Sequence, residues 1–281
     1  MSEPPVHRAV TNDGTTIVGR VQGQGPPLVL VPAGPYDGTF EWGPLVPYLC
    51  ERFTCYVMDR GSRARDAGKQ DHSLERIVGD VVSFIDSVGD PVGLVGASFS
   101  GMLALGATRR TSAVGALALW EPAVAEVASE QDLARFAQVL DDVGALVDDG
   151  RLLDAARTFN TATGVHSEEQ LAATPDEVWE ALAPAMPILL EEYRQVGQSP
   201  GPTTTDPSEL AALTVPVLLM HDADAVPWLV NGVDHVARNV ADATVRTIPG
   251  VGHAVQNAPA PARAAVAEEL AHFFTAVLDP T

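Results

Sequence analysis

The sequence is poor in positive charge and in cysteine. Its 281 residues include one lysine, Lys69, and 17 lysines and arginines together against 37 aspartates and glutamates, a formal charge of −20. No basic cluster offsets that excess, so nucleic acid and anionic membrane surfaces, both rich in phosphate, are excluded as partners. The two cysteines, Cys50 and Cys55, cannot assemble a zinc site alone, and buried thiols are expected rather than a disulfide. No apolar run approaches the roughly 20 residues needed to span a bilayer. The first ten residues, MSEPPVHRAV, lack the basic-then-apolar pattern of a secretory signal, so the cytoplasm is the expected location.

What is present is the composition of a soluble globular protein, 46% hydrophobic with a mean hydropathy of +0.09. Two β-like runs, His7–Thr11 and Thr15–Val21, flank Asn12-Asp13-Gly14 as a hairpin. Pro27–Val31 is a continuous apolar run, as a strand buried on both faces requires. Tyr56–Met58, Val92–Val95, Ala116–Leu119 and Val215–Met220 repeat it. Helical periods lie between them at Leu74–Val88, Gly101–Arg109 and Ala262–Leu278. This alternation predicts an α/β protein with a mostly parallel sheet.

Residues 124–212 break the rhythm. They read as three or four helices with starts at Ser129–Asp132 and Thr174–Glu177, where Pro175 takes the first helical position. Breaks fall at Gly150 and Gly164, perturbations at Pro184 and Pro187, and an exit linker at Ser199–Thr205. Strands resume after residue 213, so residues 1–123 and 213–281 form one core interrupted by a helical cap over 124–212.

The chemistry starts from Gly96-Ala97-Ser98-Phe99-Ser100, which departs from the G-x-S-x-G nucleophile pattern only at its fifth position. Ser98 follows a strand and precedes a helix, and small residues at 96, 100 and 101 let the two approach closely. Ser98 is the candidate nucleophile; a serine that only caps the helix is the plainer alternative. His253, in the glycine-rich loop Ile248–His253 after the strand-like Thr244–Thr247, is the candidate base. The backbone N–H groups of Phe99 and Gly34 are the candidate oxyanion donors, since the prolines beside Gly34 have none to offer.

The stretches VLVPAG, VMDRGSR, VGASFSG, ALWEPAV, VPVLLMHDAD and IPGVGHA make the sequence resemble the capped α/β-hydrolases over essentially its whole length. That resemblance implies an eight-stranded, mostly parallel sheet, a helical cap after the sixth strand, and Ser–acid–His chemistry with no cofactor and no metal. Two departures stand out. Pro32-Ala33 replaces the usual His-Gly, and the turn after Asp59 reads Arg60-Gly61-Ser62-Arg63-Ala64-Arg65.

Two carboxylates compete for the acid role. Asp224 follows the strand that carries the acid in most of the family, but the usual H-G-x-x-D spacing falls on Ala225. Glu121 ends the preceding strand, the location used by some haloalkane dehalogenases and by fungal zearalenone lactonase, which is similar also in its V-P-x-G loop. Glu121 is the favoured acid and Asp224, or Asp222 beside it, the alternative. A serine at 98 argues against dehalogenase or epoxide hydrolase chemistry, where the resemblance would put aspartate.

The expected reaction is cleavage of an ester, thioester or lactone of a small, moderately hydrophobic molecule. Tyr36, Trp179, Met186, Leu190 and Trp228 are the expected substrate contacts, with Phe40, Leu189 and Tyr193 as further candidates. About half of the Trp179–Tyr193 set is better read as the buried face of a cap helix. Acyl transfer to another acceptor, or a catalytically silent binding scaffold, are the competing readings. A monomer or homodimer is expected.

Overall fold

The computed structural model describes residues 4–62, 71–89, 91–164, 166, 168–199 and 203–278. Eight strands form one sheet in the order β1-β2-β4-β3-β5-β6-β7-β8. They are β1 (Val6–Val10), β2 (Thr16–Gly23), β3 (Pro27–Val31), β4 (Thr54–Asp59), β5 (Val92–Ala97), β6 (Val114–Trp120), β7 (Val217–Asp222) and β8 (Ala243–Ile248). The β1–β2 hairpin is antiparallel and β2 pairs antiparallel with β4, while every pairing from β4 to β8 is parallel.

The continuous apolar runs are explained by cores on both faces of the sheet. In β3, Val29 and Val31 enter one core while Leu28 and Leu30 enter the other. The first core is covered by α3 (Leu74–Val88) and α4 (Ser98–Arg110), and α11 (Pro227–Asn239) also packs there. The opposite face is covered by α1 (Thr39–Trp42), α2 (Val46–Leu49) and α12 (Ala260–Leu278). Two-sided burial is what makes a parallel strand read as an unbroken hydrophobic segment.

Between β6 and β7 the chain inserts α5 (Glu130–Asp148), α6 (Leu152–Ala162), α7 (Glu168–Ala173), α8 (Asp176–Leu182) and α9 (Met186–Gly197), followed by the short α10 (Pro207–Leu210). Among the described residues the insert therefore holds five α-helices before α10, more than the three or four helices its periodicity suggests, because α7 and α8 are too short to show a period. Ser129 starts α5 with a capping box closed by Asp132 in place of the usual glutamate. Pro175 is the cap of α8 in extended conformation, not its first helical residue. Gly150 and Gly164 sit at φ +72° and +70°, which ends α5 and α6 where side-chain-bearing residues would be strained. The insert has its own apolar core, built around Val139, Val143, Met186 and Leu190.

Cys50 and Cys55 are free thiols, the second buried. Among the described residues no helix is long and apolar enough to cross a membrane. Residues 63–65 of the turn after Asp59 and residues 200–202 of the exit linker lie outside the described residues.

Candidate active site

The carboxyl ends of β3, β4, β5, β6, β7 and β8 share one edge of the sheet, where α/β folds place their chemistry. Ser98 follows β5 and Glu121 follows β6. Among the described residues, these two are the non-glycine residues with positive φ, +50° and +42°. Each such conformation costs about 1–3 kcal/mol and persists only where the surroundings enforce it.

Those surroundings are visible. Gly96 has no room for a Cβ, which would lie 2.6 Å from the Ser100 carbonyl oxygen, and a Cβ on Gly101 would meet Pro122 at 2.9 Å. Ser100, the unusual fifth motif residue, is fully buried. Its hydroxyl accepts from the Ala97 N–H and donates to the Ala97 carbonyl, both at 2.9 Å, and so clamps the turn from below. Across the top, the Ala123 N–H donates to the Ser98 carbonyl at 3.0 Å, tying the serine turn to the segment that carries Glu121.

Glu121 has no exposed surface. Its Oε2 lies 2.6 Å from Nδ1 of His253, and its Oε1 accepts from the Asp222 N–H at 2.9 Å. A carboxylate accepts, so Nδ1 carries the imidazole proton and Nε2 is left as the basic nitrogen. Asp222, at the end of β7, accepts from the N–H groups of Val251 and Gly252 at 2.6 and 2.8 Å and thereby holds the histidine loop. Asp224 is exposed, and it reaches this network only through its backbone N–H, which donates to Asp222. The three acidic candidates therefore have three different placements: Glu121 on the ring, Asp222 on the loop, Asp224 at the surface.

Ser98 and His253 line one cavity of about 550 Å³ under the inserted helices. Gly34 and Phe99 line it too. Phe99 is in the first turn of α4, whose N–H groups have no intrahelical acceptor. The Gly34 N–H has no acceptor among the described residues, and its carbonyl accepts from Tyr36 N–H at 2.9 Å. A Cβ at position 34 would overlap the Tyr36 ring at 2.0 Å, so any larger residue there would displace that ring.

Tyr36, Trp179, Met186 and Trp228 also line the cavity. Leu190 does not; it is packed into the insert's own core, to which Leu189, on the wall, also belongs. Met186, Leu189, Leu190 and Tyr193 share one face of α9 at i, i+3, i+4 and i+7, and of these four Leu190 is the one that does not reach the cavity. Phe40 is on the wall as well, and Tyr193 packs against Phe99 at 4.8 Å between ring centres, and against Phe136 at 5.2 Å.

Two polar residues at the site, Glu41 and His166, escaped the sequence reading, and a third, Arg60, entered it only as part of the unusual turn after Asp59. Glu41, buried, accepts from the Ala33 N–H at 2.8 Å and from the Tyr36 hydroxyl at 2.7 Å, and burial pushes its carboxyl up to about 7. Its one sequence signal is a carboxylate between the aromatic Phe40 and Trp42. His166 stands 5.9 Å from His253 between ring centres, and burial, with a smaller push from His253, takes its imidazole down to about 4. Arg60 is buried behind the Pro32–Gly34 loop. No group of metal-ligating side chains occurs among the described residues.

A family model described as alpha/beta hydrolase family matches residues 28–268. The chain belongs to the α/β-hydrolase family. Solved structures agree on the fold. An α/β-hydrolase from Sphaerobacter thermophilus is 25% identical, with 96% of this chain and 100% of that one covered and a TM-score of 0.72. An esterase from a Rhodococcus species is 18% identical over 97% and 99% of the two chains, TM-score 0.70, and a thermophilic esterase from Thermogutta terrifontis is 18% identical over 97% and 99%, TM-score 0.66. No curated protein sequence matches. For this α/β-hydrolase, the serine turn at the end of β5 and the Glu121–His253 pair occupy the same sheet edge, and Ser98 and His253 open on the same cavity.

Proposed function

We propose that the protein is a serine hydrolase that cleaves an ester, thioester or lactone of a moderately hydrophobic molecule through an acyl-enzyme on Ser98. The observation that carries this reading is the strained Ser98 turn sharing a cavity with a histidine whose Nδ1 is held by a buried carboxylate.

In the proposed cycle Ser98 Oγ attacks the carbonyl carbon while His253 Nε2 takes its proton. Glu121 holds the ring in the required tautomer and stabilises the imidazolium, a role that it fills in preference to Asp224. The N–H groups of Gly34 and Phe99 bind the oxyanion, a contribution of roughly 3–4 kcal/mol for each donor. The tetrahedral species collapses, the C–O or C–S bond breaks, and His253 returns the proton to the leaving alkoxide or thiolate. Water, deprotonated by His253, then cleaves the acyl-enzyme and releases the carboxylic acid.

The aromatic and aliphatic wall made by Phe99, Phe136, Met186, Leu189, Tyr193 and Trp228 supports an apolar substrate, with the inserted helices acting as its cap. A panel of aryl esters, thioesters and lactones run in ¹⁸O-labelled water tests the reaction. The expected product is a free acid carrying one solvent oxygen. Product that instead retains an added alcohol as a new ester identifies acyl transfer, and no turnover across the panel contradicts the reading.

A further inference from the structure

Arg60, the first residue after β4, and Glu192 of α9 are both buried, with 6% and 5% of their surfaces exposed. One guanidinium nitrogen lies 2.7 Å from each oxygen of Glu192. The other donates to the Ala33 carbonyl at 2.5 Å and to the Pro32 carbonyl at 3.3 Å. The guanidinium carbon sits 5.7 Å from the centre of the Phe99 ring. One side chain therefore touches the inserted helices, the loop after β3 and the residue that follows Ser98.

The Ala33 carbonyl belongs to the same peptide unit as the Gly34 N–H. A trans peptide is planar, with its C=O and N–H pointing in opposite directions. Fixing the oxygen on Arg60 therefore fixes where the Gly34 N–H points, and bonding a cation to the oxygen strengthens the N–H as a donor. The preceding N–H, that of Ala33, is already held by Glu41. Residue 33 is thus gripped at both ends, which leaves the Gly34 peptide plane little freedom to turn.

Two apolar side chains would join α9 to the core at least as well, because a buried ion pair repays little beyond its own desolvation. The insert also has a separate tie nearby, where Gln195 accepts from the His72 N–H at 2.8 Å. What the guanidinium adds is the bond to the Ala33 carbonyl.

We propose that Arg60 is a positioning residue which, held in place by Glu192, aims the Gly34 N–H at the reacting carbonyl, so that this donor is set only while α9 is docked on the core. The proposal rests on the oxyanion role given to Gly34 above. It makes the inserted helices part of the rate-setting geometry as well as the wall of the cavity.

The test uses the full chain and p-nitrophenyl acetate, whose two-carbon acyl group is short, with Arg60→Met/Glu192→Leu and Arg60→Lys as variants. The double variant removes both charges together and so avoids leaving one buried and unpaired. Lysine keeps the charge opposite Glu192 but lacks the fork that reaches the carboxylate and the carbonyl at once. The proposal expects cooperative unfolding in both, with kcat lowered about ten- to a hundredfold and KM changed by less than about twofold. The second-order rate of inactivation by a fluorophosphonate falls in parallel, since its phosphoryl oxygen occupies the same hole.

A folded double variant with wild-type kcat overturns the proposal and leaves the pair a structural tie. If the double variant does not fold, Arg60→Lys decides alone: wild-type kcat there overturns the proposal in the same way. Wild-type protein that hydrolyses the ester without acylation of Ser98 overturns the underlying reading as well, an outcome separated from the first two because it appears before any variant is made.

Discussion

Nδ1 of His253 lies 2.6 Å from Oε2 of Glu121, a fully buried residue, and the second Glu121 oxygen is held by the Asp222 N–H. The pairing couples the loop after β8 to the end of β6 at the place where the backbone of Glu121 is itself strained at φ +42°. It leads to a comparison of two variants. Glu121→Gln is expected to lower kcat on an aryl ester on the order of 10⁴-fold, as loss of the acid does in triad enzymes generally. Asp224→Asn, at an exposed residue bonded through its backbone, is expected to stay within about twofold of wild type. Initial rates on both, with melting curves to establish that each is folded, check the assignment; the reverse order of effects would move the acid role to β7.

Ser100 explains why the nucleophile motif survives without its last glycine. Its hydroxyl occupies the space under the turn and satisfies the Ala97 N–H. Ser100→Ala leaves that buried donor without a partner, which costs about 1–3 kcal/mol of stability. Urea unfolding of the variant should show the loss; an unchanged midpoint and slope would mean that the turn is held by its glycines alone.

Glu41 sets a pH dependence of opposite sign to the usual carboxylate. Its folded value of about 7 lies above the ordinary 4.5, with burial as the main cause. The folded state therefore holds the proton more tightly than the unfolded chain. The resulting stability is fully present below pH 4.5 and is lost as pH rises through about 7. The loss amounts to roughly 3 kcal/mol on the scale of 1.4 kcal/mol per unit. Glu41→Gln should remove it, so that the variant gains on wild type by about that much in urea unfolding between about pH 5 and about pH 8. A difference that does not vary with pH would contradict the raised carboxyl.

The parts of this account legible in the sequence are those written in local pattern. The buried strands read as apolar runs because both faces of the sheet are covered, and Ser98 and His253 read as motifs because a strand end, a glycine and a helix start lie within a few residues of each. The carboxylate that meets His253 is less legible. Carboxylates lie at or just after the ends of both β6 and β7, and only the folded register shows Glu121 on the ring, Asp222 on the loop and Asp224 in solvent. Arg60 and Glu192 lie 132 residues apart, and no local spacing connects them. That Leu190 does not line the cavity has a different reason. The period of α9 identifies an apolar face, but that face serves both the cavity and the insert's own core: Met186 and Leu189 belong to both, Leu190 to the core.

The most direct test of the central claim is the site of covalent labelling. Folded protein is incubated with a fluorophosphonate, its intact mass is measured, and the modified peptide is sequenced by fragmentation. The account predicts a single adduct on Ser98, formed rapidly in wild type and abolished by Ser98→Ala. Folded protein that takes up no label, or takes it up at another residue while Ser98→Ala retains esterase activity, would contradict a serine nucleophile at the end of β5.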